Sequence, residues 1–337
     1  MTGEFIGGLA LIMLAGVLAG NCMLPMKFAR RWRWENLWLV FSLISLVVLP
    51  WALAYFLAGD VLVIYRGLSV RQWLLPFLFG AGWGVAQVLF GLSIARLGLA
   101  LGCAVIIGLG SLFGTLVPLF FQRREVLGTA RGALILSGLA VMVAGIIVSA
   151  KAGRQREKTG DAPRAGGYGL ALTMAVLCGL MAPMVNYSFA FGQDIAEAAV
   201  RSGVSQTRAG YAVWPVGLLG GLIPNLVYSI HLLFRNKTWG TFRGSWFHDG
   251  GMAGMMGVFW MGAMAIYGVA AVYLGPLGTS VGWGLFQIFN IMSANVSGVL
   301  TGEWREAPAG ALRTLYAGMA LLAVATLILA AGNQGSS

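Results

Sequence analysis

The sequence predicts an all-α membrane protein of ten transmembrane helices in two inverted five-helix repeats, and three observations carry that expectation. Of 337 residues, 58% are hydrophobic and only 10% charged, with a mean hydropathy of +0.82, which leaves too little polar surface to clothe a soluble domain. Apolar segments long enough to cross a ~30 Å hydrocarbon slab, which takes ~20 helical residues, recur along the whole chain. Lastly, the pattern Gly80, Trp83, Ala86, Phe90, Gly91, Leu97, Gly98 returns 177 residues later as Gly257, Trp260, Ala263, Tyr267, Gly268, Leu274, Gly275. An odd number of crossings separates the two copies, so the second runs upside down. Strands with open edges would leave backbone groups unpaired in lipid, and each segment is therefore read as a helix.

Span 1 covers 5–27; no basic stretch precedes it and its apolar run continues too far for a cleaved leader, so it reads as permanent. Span 2, at 35–58, opens on Glu35, an acid suited to the positive end of a helix dipole. Spans 3 and 4, at 73–95 and 99–121, are joined by the short turn Arg96 to Leu99 and form a helical hairpin. Span 5 covers 131–150. The polar stretch 151–166, KAGRQREKTGDAPRAG, is the linker between a first repeat at 1–150 and a second at 167–337. Span 6, at 167–190, echoes span 1: LALIM at Leu9 to Met13 becomes LALTM at Leu170 to Met174, and Pro25, Met26 become Pro183, Met184. These matched prolines are candidate gating bends, although each alone reads first as a structural kink. Span 7 covers 210–233. Spans 8 and 9, at 251–273 and 278–300, form the second hairpin through Tyr273 to Pro276, and span 10 covers 311–331. Glu125 and Gly138 meet Glu303 and Gly318 at offsets of 178 and 180, extending the repeat to the last helices.

The net charge of +11 does not point to nucleic acid, because the basic residues lie between apolar segments and no soluble domain carries them. Of the 22 Lys and Arg, 15 fall on the side that receives the loops after spans 1, 3, 5, 7 and 9. By the positive-inside rule that side is cytoplasmic and both termini face outward. The clearest markers are Lys27, Arg30, Arg31 and Arg33 after span 1 and Lys151, Arg154, Arg156 and Lys158 after span 5. Cys22, Cys103 and Cys178 lack metal-site or disulfide spacing and read as small packing residues; no metal or cofactor is expected. Glycines at small-xxx-small spacing, including Gly16/Gly20, Gly80/Gly84, Gly110/Gly114 and Gly217/Gly221, predict close helix packing.

Polar side chains in hydrocarbon need partners or water. In span 9, Thr279, Trp283, Gln287, Asn290 and Ser297 recur at helical spacing on one face, so that face should look into the bundle or a wet cavity. Further candidates are Trp83 and Gln87 in span 3, Trp260 and Tyr267 in span 8, Trp214 and Asn225 in span 7, and Asn21 and Asn186 in spans 1 and 6. Together they suit a neutral polyhydroxylated ligand: amides donate to and accept from hydroxyls, and aromatic faces cover the C–H surface of a sugar ring. A single Asn or Gln reads equally as an interhelical hydrogen bond, and a single Trp as packing. All 11 acidic residues map to span ends or loops. A mid-membrane carboxylate would cost about 2.5 to 3.5 kcal/mol and mark an ion or proton site. Its absence argues against organic-cation transport and leaves Glu35 and His231 as the candidates for proton coupling.

The chain resembles the drug/metabolite transporter superfamily and, within it, the L-rhamnose/proton symporter family. The wider resemblance lies in PLFFQRRE at Pro118 to Glu125 with Arg131, Gly132 and Gly138, and in GVLTGEW at Gly298 to Trp304. The closer one lies in LPMK at Leu24 to Lys27, WExxW at Trp34 to Trp38, LPW at Leu49 to Trp51, FLFGAGWG at Phe77 to Gly84, Gly91, RLG at Arg96 to Gly98, GTLVP at Gly114 to Pro118, and Glu303, Trp304. The resemblance implies ten helices in two inverted repeats, a cavity between them, and proton-driven uptake of a deoxyhexose such as L-rhamnose. The expected setting is the bacterial inner membrane, with the lipid bilayer, a small neutral sugar and protons as partners. Another carrier of the superfamily, exporting or exchanging a metabolite, is the alternative. A membrane-embedded enzyme would need a nucleophile, metal cluster or acid/base pair that two isolated histidines and scattered carboxylates do not supply.

Overall fold

The computed structural model describes residues 3–156 and 168–334, and the described residues fold into helices and turns without strands. In chain order the α-helices are α1 (Gly3–Asn21), α2 (Trp34–Leu43), α3 (Leu49–Ala58), α4 (Val61–Arg66), α5 (Val70–Leu97), α6 (Leu99–Gln122), α7 (Ala130–Arg156), α8 (Tyr168–Met181), α9 (Met184–Ala190), α10 (Gln193–Arg201), α11 (Gln206–Ala209), α12 (Val213–Arg235), α13 (Gly251–Tyr273), α14 (Val281–Leu300) and α15 (Ala309–Gln334). Nine helical segments among the described residues are long and apolar enough to cross a membrane, and the chain is a multi-pass membrane protein. They correspond to predicted spans 1 to 8 and 10. Predicted span 9 is α14, which at 20 residues is long enough. It stands outside the nine because Gln287, Asn290, Ser293, Asn295 and Ser297 dilute its apolar residues.

Three predicted spans are interrupted rather than straight. Span 1 breaks after Asn21 and ends in a 3₁₀ turn, Leu24–Phe28, that contains Pro25. Span 6 breaks at Pro183 into α8 and α9. Proline removes the donor that would continue the ladder, so the matched prolines mark matched breaks. In span 2, α2 and α3 are joined by a π turn at Ile44–Val48, where Ile44 packs over Gly257 of α13. The linker begins later than expected, since α7 continues through Arg156; the rest of 151–166, including Lys158, lies outside the described residues.

Both termini come to one end of the bundle, called here the terminal end: Asn333 Nδ2 donates to the carbonyl of Leu274 at 3.1 Å, and Gly8 abuts Tyr273 and Leu274. The opposite, linker end carries Lys27 and Arg156, which both pair with Glu303. Glycine sets the closest helix crossing. A Cβ on Gly80 of α5 would sit 1.7 Å from the carbonyl oxygen of Gly217 of α12, and one on Gly84 would sit 2.5 Å from that of Gly221. The two small-residue pairs read from the sequence thus pack on each other. The hairpin turns hold Gly98 at φ +82° and Gly275 at φ +74°, a left-handed backbone that only glycine adopts cheaply, which explains why both copies of the repeat end on glycine.

α1 packs on α13 and α14, and α8 and α9 pack on α5, with α8 also against α6; α7 pairs with α15; α6 meets α14; and α2 meets α12. The main apolar core runs through α1, α2, α12, α13 and α14. α5, α6 and α9 join it in their terminal-end portions, through residues such as Phe77, Trp83, Leu119 and Phe189. Nearer the linker end, Ala86, Leu97, Ile106, Ala171, Ala175 and Cys178 of α5, α6 and α8 form a separate cluster. Two further small clusters, Ala152 with Trp304, Ala311 and Leu315, and Trp32 with Leu37 and Ala253, also stand apart from the main core.

Candidate functional site

The polar face of α14 carries Trp283, Gln287, Asn290 and Ala294 on successive turns. Trp283 is 4% exposed, its ring lying over Gly114 and its Nε1 donating to the carbonyl of Gly110 at 3.2 Å. Gln287 and Asn290 are half-buried, and Ala294 is exposed. One helix face thus passes from sealed to open between the terminal end and the linker end. α5 behaves in the same way. Gly80, Trp83 and Gly84 are buried, Gln87 is half-buried, and Gly91 is exposed with nothing within 4 Å of where a Cβ would stand. Exposure thus rises toward the linker end on both helices.

Between α5 and α13, Trp83 stacks on Trp260 with ring centroids 5.1 Å apart and planes at 23°. These are the repeat-related tryptophans, one from each half. Phe41 meets the Trp260 ring edge-on at 6.4 Å.

Toward the terminal end the bundle is closed by a hydrogen-bonded hub at Asn186, which is fully buried. Its Nδ2 donates to the carbonyls of Gly114 (3.1 Å) and Thr279 (2.8 Å), and its Oδ1 accepts from the hydroxyl of Tyr267 (2.6 Å). One amide therefore ties α6, α9, α13 and the turn before α14. Thr279 also donates to Gln122 Oε1 at 3.2 Å, and Gln122 Nε2 donates to the carbonyl of Ala190 at 2.8 Å. Gly110 and Gly114 let α6 present bare carbonyls to this hub and to Trp283.

Asn21 bridges α1 to α14. Its Nδ2 donates to Ser293 Oγ at 2.7 Å and its Oδ1 accepts from the hydroxyl of Ser297. Asn225 is 2% exposed, accepts from Trp38 Nε1 at 2.8 Å and donates to the carbonyl of Gly221 at 2.8 Å. Trp214 is buried and stacks on Phe189 at 4.8 Å. The sequence candidates fall into two sets. Gln87, Gln287 and Asn290 are half-buried, with Asn290 Nδ2 donating to Gln287 Oε1 at 3.3 Å, whereas Asn21, Asn186, Asn225, Trp214, Tyr267 and Trp283 are engaged with residues of other helices.

Glu35 is 4% exposed and accepts from Asn236 Nδ2 (3.0 Å) and Thr238 Oγ1 (2.8 Å), joining the start of α2 to the end of α12. His231 is exposed on the outside of α12. Sequence reasoning overlooked Asp249, a fully buried carboxylate that accepts the backbone N–H groups of Arg30, Arg31 and Trp32 and the Nδ1 of His248. Its place as the single acid in an aromatic and basic segment was the available signal. No group of three metal-ligating side chains occurs among the described residues.

The model of one protein family, that of the L-rhamnose-proton symport protein, matches residues 4–335. An L-rhamnose-proton symporter of Cronobacter sakazakii is 27% identical over 95% of both chains. Proteins of the same name from Escherichia coli and Mannheimia succiniciproducens are each 26% identical, over 95% and 98% of this chain and 96% and 99% of theirs. With the match running from residue 4 to residue 335, the protein belongs to the L-rhamnose-proton symport protein family, a family of transporters and not of enzymes.

Proposed function

We propose that this protein is a secondary transporter of the bacterial inner membrane that takes up a neutral sugar, L-rhamnose or a similar deoxyhexose, together with protons by alternating access. The observation that carries the reading is the graded face of α14, buried at Trp283 and exposed at Ala294. Such a face belongs to a cavity closed at one end. Gln87, Gln287 and Asn290 supply donors and acceptors for sugar hydroxyls, and the Trp83/Trp260 pair supplies an apolar face for ring C–H groups.

Two inverted five-helix repeats, with α14 as the ninth of ten spans, account for the pairing of helices. The packing of α1 on α13 and α14 is mirrored by that of α8 and α9 on α5 and of α8 on α6, while α7 with α15, α6 with α14 and α2 with α12 pair each element with its own counterpart. Breaks at Pro25 and Pro183 fall at matching places, as discontinuous helices do beside the sites of other inverted-repeat carriers. The linker end, rich in Lys and Arg, faces the cytoplasm and both termini face outward. In this conformation the protein is open inward and closed outward by the Asn186 hub. The engaged candidates Asn21, Asn186, Tyr267 and Trp283 hold that closure, and alternation requires the hub to part.

For proton coupling, Glu35 is better placed than His231. It is a buried carboxylate whose hydrogen-bond donors, Asn236 and Thr238, are both neutral, and it sits at a joint between helices of different halves. The exporter and enzyme readings are not favoured by the family. Reconstituted into proteoliposomes, the protein should accumulate labelled L-rhamnose when an inward proton gradient is imposed and lose that accumulation with a protonophore. Sugar equilibration indifferent to the gradient would remove the coupling, and no sugar flux in either direction would remove the reading.

A further inference from the structure

The turn after α1 and the segment after α12 form one surface at the linker end. Asp249 binds the backbone of Arg30, Arg31 and Trp32, Trp32 Nε1 donates to the carbonyl of Gly244 at 3.0 Å, and the Arg31 guanidinium lies against Gly244. Trp32, Phe242 and Trp246 pack ring on ring beneath it. This surface is held by buried contacts and does not depend on its charges for its shape.

Its electrostatics are one-sided. The only acids in residues 28–37 and 234–250 are Glu35 and Asp249, both buried and both occupied by neutral donors or by His248. Asp249 spends its charge on peptide N–H groups, so it leaves the nearby guanidinium groups uncompensated. Arg30, Arg31, Arg235, Lys237 and Arg243 are all exposed, and none of them forms an ion pair among the described residues. Around them Trp239 is 42%, Trp246 53% and Phe247 96% exposed. Aromatic rings projecting beside unpaired cations are what a membrane interface accommodates, the rings at headgroup depth and the cations on phosphate.

The structure assigns this surface as a seat for anionic phospholipid headgroups of the adjoining leaflet. Each basic side chain near such a leaflet is worth about fivefold in association. Neutralising three of them should cost at least tenfold in preference for anionic lipid after screening.

The test uses the purified full-length chain with equimolar phosphatidylglycerol and phosphatidylcholine, and native mass spectrometry counts the lipid retained. Arg31→Gln/Lys237→Gln/Arg243→Gln should lose the phosphatidylglycerol preference tenfold or more. Arg66→Gln/Arg71→Gln/Arg208→Gln, which removes the same charge at the terminal end, should keep it. The wild-type chain decides independently of either variant: its preference should fall as sodium chloride rises through the range that shortens the Debye length to a few ångströms. No preference in the wild type, equal loss in both variants, an effect insensitive to salt, or full displacement by millimolar inorganic phosphate would each overturn the assignment.

Discussion

Removing the Asn186 amide tests whether the terminal end is a gate or permanent packing. Asn186→Ala deletes three hydrogen bonds, to Gly114, Thr279 and Tyr267. Interhelical hydrogen bonds in membranes average about 0.6 kcal/mol each, so the three together hold the closed arrangement by roughly 2 kcal/mol. That is about a thirtyfold change in the ratio of closed to open terminal ends. The reporter is Thr115→Cys, in a background lacking the native cysteines. Thr115 is fully buried on α6 and touches Gly284 of α14, so a thiol there reacts only when those helices part. Its labelling by a polar maleimide should quicken about thirtyfold with Asn186→Ala. Asn225→Ala, which removes two hydrogen bonds on the α2/α12 side, should leave the rate unchanged while lowering thermal stability. Equal labelling with and without Asn186, in protein that remains folded, would refute the hub as a closure.

Three further outcomes follow from the packing and the charges. Gly80→Ala must push α5 and α12 apart, because its Cβ would fall 1.7 Å from the Gly217 carbonyl oxygen; overpacking of this kind costs about 1 to 3 kcal/mol, read as a lower thermal midpoint, whereas Gly91→Ala meets nothing and should not move it. Glu303→Gln removes both ion pairs, with Lys27 and Arg156, yet the carboxylate is 36% exposed, so unfolding should shift by less than about 1 kcal/mol per pair. Glu35→Gln should abolish gradient-driven accumulation in proteoliposomes while leaving sugar exchange intact; accumulation at the wild-type level would exclude Glu35 as the proton carrier.

Much of the architecture is written locally and could be read without coordinates. Gly98 and Gly275 end the two copies of the motif because each hairpin needs a left-handed residue, and Gly80/Gly84 and Gly217/Gly221 are spaced for a crossing that they make with each other. Trp83 and Trp260 share a register within the repeat and meet in a stack. What the local pattern could not decide is where each amide points. The partners of Asn186 lie 72, 81 and 93 positions away in sequence, so its engagement is fixed by how four elements converge, whereas Gln287, of the same chemistry, is half-buried and accepts from Asn290 on its own helix. The short helix α10 falls between predicted spans 6 and 7 because it is too brief and too charged to span, and its Ile195, Ala196 and Ala199 form a buried stripe that seats it on the bundle. The polar face of α14 is legible as interior, but its gradient from buried to exposed depends on how the neighbouring helices pack along it and has no local signature.

The most direct test of the account is the binding of L-rhamnose by calorimetry to the purified protein and to Gln287→Ala and Asn290→Ala. Each truncation removes about one neutral hydrogen bond, worth roughly 0.5 to 1.5 kcal/mol, so each variant should bind about three- to tenfold more weakly with its thermal midpoint preserved. Unchanged affinity in both folded variants would contradict the placement of the sugar at these amides.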